Sequence, residues 1–382
     1  MRKILSAIAL LAASFIGRAQ VDAVYGPWIQ NVTEDSFTVL FKTDCKSLAR
    51  VEVTADDGKT WYQSAHQPYY DTVSGRRLTS DFHAIKVTGL KPATTYCYRA
   101  IAKRIADDSN PYGVKYGAEE TLCEVKKIRT LDHNAPTCRF SMVNDMHNDV
   151  KKYSTLMSGM DKAKTDFVVL CGDIISYAPG ADSVMKYTFG PIDDIAASFP
   201  VIYARGNHEG RGPEWYDIPK LFPSPTGEFY FSFRQGPVAF LVLDLGEDKP
   251  DSDPEYSGQA AYDQFRAEEL EWIRKAVKEP AFASAPHKVV LVHIPTFDAP
   301  SAWYSQHWGA VNLNPVLNEA GVELMLSGHH HKYIKADPGE YGNDFTIIAN
   351  DNKSRLDFEA DKDKMTVRIY GVDGALTKTL SF

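Results

Sequence analysis

Cysteine is scarce in this chain, positive charge is not in excess, and no apolar run is long enough to cross a membrane. Five cysteines in 382 residues exclude a small scaffold that depends on disulfides. Lysine and arginine total 42 against 50 aspartates and glutamates, so the chain lacks the basic stripe that binds nucleic-acid phosphates. No sequence-specific nucleic-acid partner is expected. We find no internal repeat and no low-complexity segment.

The composition is typical of a folded protein with two or three domains. The chain is 44% hydrophobic and 24% charged, which excludes a disordered tail, a collagen-like fibre and a multi-span membrane protein. A chain of this length can bury most of its apolar surface without disulfides.

Residues 1–19 have the order of a secretory signal peptide. Arg2 and Lys3 precede an apolar run over residues 4–16, and the small residue Ala19 closes the segment. The run is shorter than a membrane-spanning helix, and no cysteine follows it to carry a lipid. We therefore expect cleavage after Ala19 and a secreted or periplasmic product. A buried N-terminal helix is the alternative, but it would not explain the basic start.

Export would place the cysteines in oxidising surroundings. Cys45, Cys97 and Cys123 could then contribute a disulfide, whereas Cys171 ends a strongly apolar run and is expected to remain a thiol. Because five is an odd number, at least one thiol stays unpaired within the chain.

Residues 25–130 carry the alternating pattern of short β-strands. Apolar and polar residues alternate over 37–42, 50–54, 85–87 and 96–100, with turn residues between these segments and no helical stripe. This pattern predicts an N-terminal antiparallel β-sandwich.

The pattern changes after Pro136. Apolar runs without alternation now recur between helical stretches, which is typical of strands buried on both faces. The stretch 262–278 places Phe265, Trp272 and Ile273 along one face of a helix. Strand–helix alternation predicts a C-terminal α/β layered domain with central β-sheets. The predicted strands are residues 140–143, 167–170, 201–204, 240–243, 289–292 and 324–326, followed by β-runs at 345–349 and 365–370.

Polar residues follow five of these strands directly. Ligands bind at the carboxyl ends of strands in open α/β sheets, so we expect these side chains to meet in one crevice. Imidazole and carboxylate together form the ligand set of a borderline transition metal, and the number of groups suits two metals that share a carboxylate. The residues are Asn144, Asp145 and His147, then Asp173, then Asn207, His208 and Glu209, then His293, and finally His329, His330 and His331.

The order of these residues resembles the calcineurin-like metallophosphoesterases. The motifs D-x-H, G-D, G-N-H-E, a lone His and G-H-x-H of that family all occur here, in that order, between about residues 139 and 331. Each motif alone is common by chance, but five placed after strands form a strong signal. The resemblance implies two divalent or trivalent metal ions (Fe, Zn or Mn). The first would be held by Asp145, His147, Asp173 and His331, and the second by bridging Asp173, Asn207, His293 and His329.

The resemblance also implies a reaction. The enzyme would hydrolyse phosphate monoesters by in-line attack of a metal-bridging hydroxide. His208 would act as the proton donor to the leaving oxygen or as a phosphate contact. Asp173 would serve both ions, so its loss should reduce activity most. Glu209 is expected to orient a ligand or the backbone, and His330 is expected to lie outside the ligand set.

Two further resemblances narrow the expected architecture. The corner at residues 90–96 resembles that of fibronectin type III domains, in which such a tyrosine bonds back to the chain. A β-sandwich before a phosphoesterase domain, with the run 228–233 and the sequence at 293–295, resembles the purple acid phosphatases. The resulting division is a signal peptide over residues 1–19, a fibronectin type III-like β-sandwich over 20–131, a linker over 132–136 and a calcineurin-like metallophosphoesterase domain over 137–382.

The chain departs from the purple acid phosphatases at the position of their iron-binding tyrosine. That tyrosine stands three residues after the G-D aspartate, where this chain has Ser176, and Tyr177 comes one step late. The first motif is D-x-H rather than D-x-G, so His147 is expected to replace the tyrosine. This predicts a non-purple site that does not require Fe³⁺. Residues 205–209 also resemble protein Ser/Thr phosphatases, but the absence of their D-R-G element argues against that branch.

Three hypotheses for function stay open at this stage. The first is an exported phosphomonoesterase, acting on a phosphate-ester small molecule or a phosphorylated substrate. The second is a phosphodiesterase or nucleotidase that uses the same metals. The third is a non-catalytic binding protein that acts through its β-sandwich, and the complete set of ligand residues argues against it. Nothing in the residues separates the first two, because loops choose the leaving group.

Overall fold

The computed structural model describes residues 20–55, 57–59, 61 and 68–382. The segment predicted to be a signal peptide, residues 1–19, lies outside the described residues. Within the described part, no helix combines the length and the apolar character that crossing a membrane would require.

The N-terminal region consists of strands. They are β1 (Ala23–Gln30), β2 (Phe37–Thr54), β3 (Thr72–Val73), β4 (Arg76–Arg77), β5 (Thr79–Val87), β6 (Thr95–Asp107), β7 (Lys115–Thr121) and β8 (Lys126–Arg129).

The C-terminal region alternates strands and helices. Its strands are β9 (Cys138–Val143), β10 (Phe167–Cys171), β11 (Val201–Ala204), β12 (Phe231–Gln235), β13 (Val238–Leu243), β14 (His287–Val292), β15 (Leu324–Ser327), β16 (Ile334–Ala336), β17 (Thr346–Ala349), β18 (Ser354–Ala360), β19 (Met365–Gly371) and β20 (Leu376–Ser381). Its helices are α1 (Val150–Ser158), α2 (Ala181–Thr188), α3 (Asp193–Ala196), α4 (Ile218–Leu221), α5 (Tyr262–Ala276), α6 (Pro280–Ala283), α7 (Tyr304–Asn312) and α8 (Asn314–Glu319).

Two mixed sheets form the centre of the C-terminal region. One contains β18, β9, β10 and β11 in that order, and the other runs β12-β13-β14-β15-β17-β16. β9, β10 and β11 are parallel to one another, as are β13, β14, β15 and β17. The carboxyl ends of the parallel strands therefore lie at the same edge of each sheet. The predicted α/β layered domain with central sheets is confirmed.

The continuous apolar runs have a direct structural explanation. The inner faces of the two sheets meet in a core that includes Phe140, Phe167 and Leu291. The outer face of the first sheet packs with α1 and α2, and the outer face of the second packs with α5 and α8. Each parallel strand is therefore covered on both sides, which explains why its central positions are mostly apolar.

The N-terminal region continues the first sheet rather than standing apart from it. β1 pairs in parallel with β11 at Gln30 and Val201, which places β11 between β10 and β1. Trp28 stacks on Phe189, and its Nε1 donates a hydrogen bond of 2.6 Å to Asp193 Oδ1. Because the two regions share this sheet, the domain limits at residues 131 and 137 stay a prediction.

The strand-rich character of the N-terminal region is confirmed, with one difference in detail. The two predicted strands at 37–42 and 50–54 are parts of the single strand β2, which carries a register shift between Lys42 and Ser47. Tyr96 Oη accepts a hydrogen bond of 2.9 Å from the Lys91 backbone N–H, as expected for the corner tyrosine. The disulfide considered for Cys45, Cys97 and Cys123 does not form in this structure, because all three are free thiols.

A buried histidine of β5 is expected to make stability depend on pH. His83 stacks on Phe41, and its Nε2 lies 2.9 Å from Ser47 Oγ. Burial lowers the pKa of His83 to about 4 from the value of 6.5 for an unperturbed histidine. The unfolded chain therefore takes up this proton first. Above pH 6.5 the His83 ring is mostly neutral in both the folded and the unfolded chain, so it does not lower the free energy of unfolding. As the pH falls from 6.5 to 4, this free energy decreases by about 3 kcal/mol.

Urea unfolding of the wild type and of His83→Gln at several pH values tests this expectation. Glutamine can still reach Ser47 but does not titrate, so the variant should lose less unfolding free energy than the wild type between pH 6.5 and 4. Two curves that fall in parallel would contradict the expectation.

Candidate metal centre

The loops that leave β9, β10, β11, β14 and β15 meet at one edge of the sheets. Backbone hydrogen bonds of 3.0 Å join the first two loops, from Asp145 N to Gly172 O and from His147 N to Asp173 O. Left-handed backbone costs roughly 1–2 kcal/mol for a residue with a side chain and clusters at functional sites. Six such residues occur in these loops, with φ angles of 54° at Asp145, 46° at His147, 65° at Asn148, 52° at Asp173, 72° at His329 and 55° at His331.

Asp145 and Asp173 are buried at the centre of this edge, and each uses its two oxygens differently. Asp145 Oδ2 accepts hydrogen bonds from the His329 backbone N–H at 2.9 Å and from Asn144 Nδ2 at 2.7 Å. Asp173 Oδ1 accepts one from the His208 backbone N–H at 2.9 Å. These bonds fix both carboxylates and leave Asp145 Oδ1 and Asp173 Oδ2 facing histidine rings.

Histidine nitrogens surround the two free oxygens. His331 Nε2 lies 3.1 Å from Asp145 Oδ1, and His293 Nε2 lies 3.1 Å from Asp173 Oδ2. His147 Nε2 lies 3.9 Å from both oxygens. The structure thus contains one group of Asp145, His147 and His331 and a second of Asp173, His293 and His329, and either group could hold a metal ion.

Asn207 lies beside the second group. Its Oδ1 lies 3.2 Å from His329 Nδ1. The structure therefore brings together all seven residues that the sequence singled out as ligands, and Asp173 also groups with His147 and His208. The assignment of these residues to two metal ions stays a prediction.

The donor atoms fit metal ions. Asp145 Oδ1 and His293 Nε2 are buried, and their contacts within the described residues, including those of 3.1 Å with His331 and Asp173, lack hydrogen-bond geometry. Nitrogen and oxygen ligands at about 2.0–2.2 Å from an ion lie roughly 3 Å from one another. His147 Nε2 and His331 Nε2 are 3.1 Å apart, as expected for two ligands of one ion.

The tautomer of His293 also fits a metal ligand. His293 Nδ1 lies 2.8 Å from the Cys171 carbonyl oxygen, which can only accept, so Nδ1 carries a proton and Nε2 is the nitrogen that would bind a metal ion in exchange for its own proton. Burial opposes the charged form, but the carboxylates of Asp173 and Asp145 raise the pKa of His293 to about 10. The pocket therefore stabilises positive charge beside these two carboxylates.

His208 lies at the side of this centre. Its Nδ1 donates to the Ser176 carbonyl oxygen at 2.8 Å, which leaves Nε2 directed away from the loop. Arg211 Nη1 lies 3.2 Å from that Nε2, and Glu247 holds the Arg211 guanidinium through two hydrogen bonds of 2.7 and 2.8 Å. Ser176 thus supports His208 through its backbone, and the neighbouring Tyr177 is 51% exposed.

Glu209 holds the ligand loops in place, as the sequence indicated. Its buried carboxylate accepts the backbone N–H groups of Asp173 at 3.0 Å, Ile174 at 2.9 Å and Gly206 at 2.9 Å. Gly206 must be glycine, because a Cβ there would lie 2.3 Å from the Asp173 backbone nitrogen. One carboxylate therefore ties the loop after β10 to the loop after β11.

The sequence did not indicate two supporting residues, Asn350 and Arg211. It did predict that His330 lies outside the ligand set. Asn350 Nδ2 donates to Asn144 Oδ1 at 3.0 Å, which fixes the amide that holds Asp145. Arg211 reaches His208, although no motif contains it. His330 lies outside the two groups, as expected, with its Nε2 2.7 Å from Gln306 Nε2.

Comparisons with known proteins agree with this arrangement. The family described as Calcineurin-like phosphoesterase matches residues 138–333. Purple acid phosphatase 15 of Arabidopsis thaliana is 22% identical over 292 residues, which cover 67% of this chain and 49% of that protein. Serine/threonine-protein phosphatase CPPED1 of Homo sapiens is 29% identical over 179 residues, 44% of this chain and 54% of that protein. The chain thus spans about half the length of the curated relatives it matches.

Solved structures show the same fold at low sequence identity. Purple acid phosphatase PPD1 from yellow lupin (Lupinus luteus) aligns over 94% of this chain and 74% of that chain, with a TM-score of 0.69 and 15% identity. PhoD aligns over 95% of this chain and 88% of that chain, with a TM-score of 0.62 and 12% identity.

The Glu209 contacts predict that this residue controls metal affinity without binding a metal. Glutamine at position 209 would turn an N–H group toward backbone N–H donors, so Glu209→Gln should weaken Zn²⁺ or Mn²⁺ binding by about 10–100-fold. Competition with a chromophoric chelator measures this affinity. Glu268→Gln, at an exposed position of α5, is the matched control and should bind as the wild type does. Unchanged affinity in Glu209→Gln would contradict the assignment.

Proposed function

Because the chain belongs to the calcineurin-like phosphoesterase family, we propose that it is a phosphatase that hydrolyses phosphate monoesters with two metal ions. The observation that carries this proposal is the shared position of Asp173. Its carboxylate lies between the group of Asp145, His147 and His331 and the group that contains His293 and His329.

The residues divide between two proposed metal positions. Asp145, His147 and His331 would hold one ion, Asn207, His293 and His329 would hold the other, and Asp173 would bridge them. Bound ions of this kind bind phosphate oxygens, neutralise developing negative charge and lower the pKa of water. Because His147 stands in the first group and Ser176 has no phenol to offer, we propose a site that is not purple and does not require Fe³⁺.

His208 is proposed to handle the proton of the leaving group. The Ser176 carbonyl fixes the ring through Nδ1. Nε2 accepts from Arg211 Nη1 in this structure, and it would carry a proton to the leaving oxygen once that contact is exchanged for the proton. Asp173 Oδ2 lies 3.9 Å from the same Nε2, which places this atom beside the proposed metal bridge. His208 would therefore work next to the phosphate without being a metal ligand.

Export and the domain division are part of the same proposal. The basic start, the apolar run and the small residues of segment 1–19 support a cleaved signal peptide and a secreted or periplasmic enzyme. The strand-rich region and the bond between Tyr96 Oη and Lys91 N support a fibronectin type III-like β-sandwich over residues 20–131.

Other substrates remain as alternatives to be tested. A phosphodiesterase or nucleotidase could use the same residues, since the donor set does not select the leaving group. The similarity to the protein named serine/threonine-protein phosphatase CPPED1 supports a phosphorylated protein as a second candidate substrate. A non-catalytic role for the β-sandwich would require an inert metal centre.

Asp173→Asn is expected to reduce hydrolysis more than removal of any other single side chain of the centre. Replacing the bridging carboxylate should lower kcat/KM for an aryl phosphate by at least about a thousandfold, in line with the electrostatic contribution of such groups. Initial rates with aryl phosphate and bis-aryl phosphate, with and without a chelator, measure the effect. Wild-type activity should depend on the metal and favour the monoester.

The control for this experiment is Asp363→Asn, at a carboxylate that is 76% exposed and far from the ligand loops in sequence. It should retain wild-type rates. If the wild type hydrolyses bis-aryl phosphate faster than aryl phosphate, the phosphodiesterase alternative is favoured over the phosphomonoesterase. Activity that resists the chelator, or no activity with any added divalent metal, would overturn both the monoesterase and the diesterase hypotheses, because both depend on the metals.

The role of His208 predicts a dependence on the leaving group. A p-nitrophenolate ion leaves without protonation, whereas an alkoxide needs a proton. His208→Gln should therefore lower kcat by about 10²–10⁴-fold for an alkyl phosphate and much less for p-nitrophenyl phosphate. Steady-state kinetics on both substrates measure this, with His307→Gln, at an exposed histidine, as the control. An equal loss on both substrates would assign His208 to phosphate binding instead.

A further inference from the structure

A cavity of about 460 Å³ lies near His208, although His208 is not among the residues that line it. Arg211 lines it and connects it to the metal centre, because Arg211 Nη1 lies 3.2 Å from His208 Nε2. The volume is in the range of pockets that hold small molecules. Its walls include the aromatic side chains of Trp215, Phe229, Tyr256, Tyr262 and Phe265.

Arg211 and its partners make the entrance to this cavity rigid. Glu247 holds the guanidinium of Arg211 with two hydrogen bonds, and the Tyr256 hydroxyl donates to Glu247 Oε2 at 3.3 Å. The same hydroxyl lies 3.2 Å from Asp248 Oδ1. The aromatic wall at Tyr256 is therefore fixed before any ligand enters.

The charge at the cavity is negative once internal pairs are taken into account. Arg205 is paired with Asp244 at 2.6 Å, and Arg211 is paired with Glu247. The Glu228 carboxylate lines the cavity and makes no hydrogen bond or ion pair with any residue of the described ranges. A phosphate or carboxylate group in the cavity would meet this carboxylate without a free cation to balance it.

The following inference rests on the proposed function and specifies its substrate. If His208 protonates the leaving oxygen, then the leaving group lies beside His208 and next to Arg211, which lines the cavity. We propose that the cavity binds the leaving group and selects an uncharged, planar aromatic one. The preferred substrates are then monophosphates of a nucleoside or a phenol. Nucleoside di- and triphosphates and acidic phosphopeptides bring negative charge to Glu228 and are poor substrates.

Trp215→Ala tests the aromatic wall. Trp215 is 43% exposed, so its removal should leave the fold intact, and the adjacent Tyr216, which is 57% exposed and does not line the cavity, provides the matched control Tyr216→Ala. We expect Trp215→Ala to lower kcat/KM by about tenfold for adenosine monophosphate and for phenyl phosphate, since stacking on an aromatic side chain contributes this much per ring. Glycerol phosphate should be unaffected. The ratio of the wild-type kcat/KM values for adenosine monophosphate and phenyl phosphate shows whether the cavity prefers a nucleoside or a phenol as the leaving group.

Glu228→Lys tests the charge selection. The wild type should hydrolyse adenosine monophosphate at least about tenfold more efficiently than adenosine diphosphate, and Glu228→Lys should narrow this ratio. An unchanged ratio would overturn the charge argument. Equal losses on all three monophosphates in Trp215→Ala, or no loss on any, would overturn the aromatic argument.

Calorimetric titration with adenosine provides a readout that does not depend on catalysis. The wild type and Tyr216→Ala should bind adenosine, and Trp215→Ala should bind it about tenfold more weakly. If the wild type hydrolyses no phosphate ester, the proposed function fails, and this titration alone decides whether the cavity takes an aromatic ligand. If the wild type hydrolyses phosphate esters but adenosine does not bind at millimolar concentration, the cavity inference fails while the phosphatase stands.

Discussion

Two buried carboxylates that face the same histidine set the main electrostatic constraint of this molecule. His293 Nε2 lies 3.1 Å from Asp173 Oδ2 and 3.9 Å from Asp145 Oδ1. Like charges in a region of low dielectric repel each other strongly unless positive charge lies between them. The surrounding structure serves to keep the two carboxylates there: Asn144 and the backbone hold one, and the loops that Glu209 connects hold the other.

Much of this centre could be predicted from the sequence because its parts are local. Asp145, Asp173 and His293 each follow an apolar run within two residues, and the rule that parallel strands end at one edge brings such residues together. The α/β layers could be predicted for the same reason, since a strand covered on both faces is mostly apolar and shows no alternation. The motif order then added the family.

The remaining features depend on contacts between distant segments, which leave no local pattern. Asn350 supports Asn144 across a separation of 206 residues, and Arg211 approaches His208 only because a short helical turn at His208–Gly210 brings it back. The pairing of β1 with β11 likewise joins segments that are distant in sequence, and the alternating pattern within each segment does not indicate it. The sequence therefore predicted the N-terminal region as a separate domain. Whether two cysteines form a disulfide depends on which strands become neighbours, and the number of cysteines does not determine this.

The left-handed residues of the ligand loops have a consequence for how the molecule opens. Detachment of these loops would release the strain at Asp145, His147 and Asp173, and it would not require the core between the sheets to open. A cation that binds only the attached form raises the free energy of this local opening in proportion to the logarithm of its concentration. Resistance of the loops to proteolytic cleavage would then report how fully the centre is loaded, independently of any substrate.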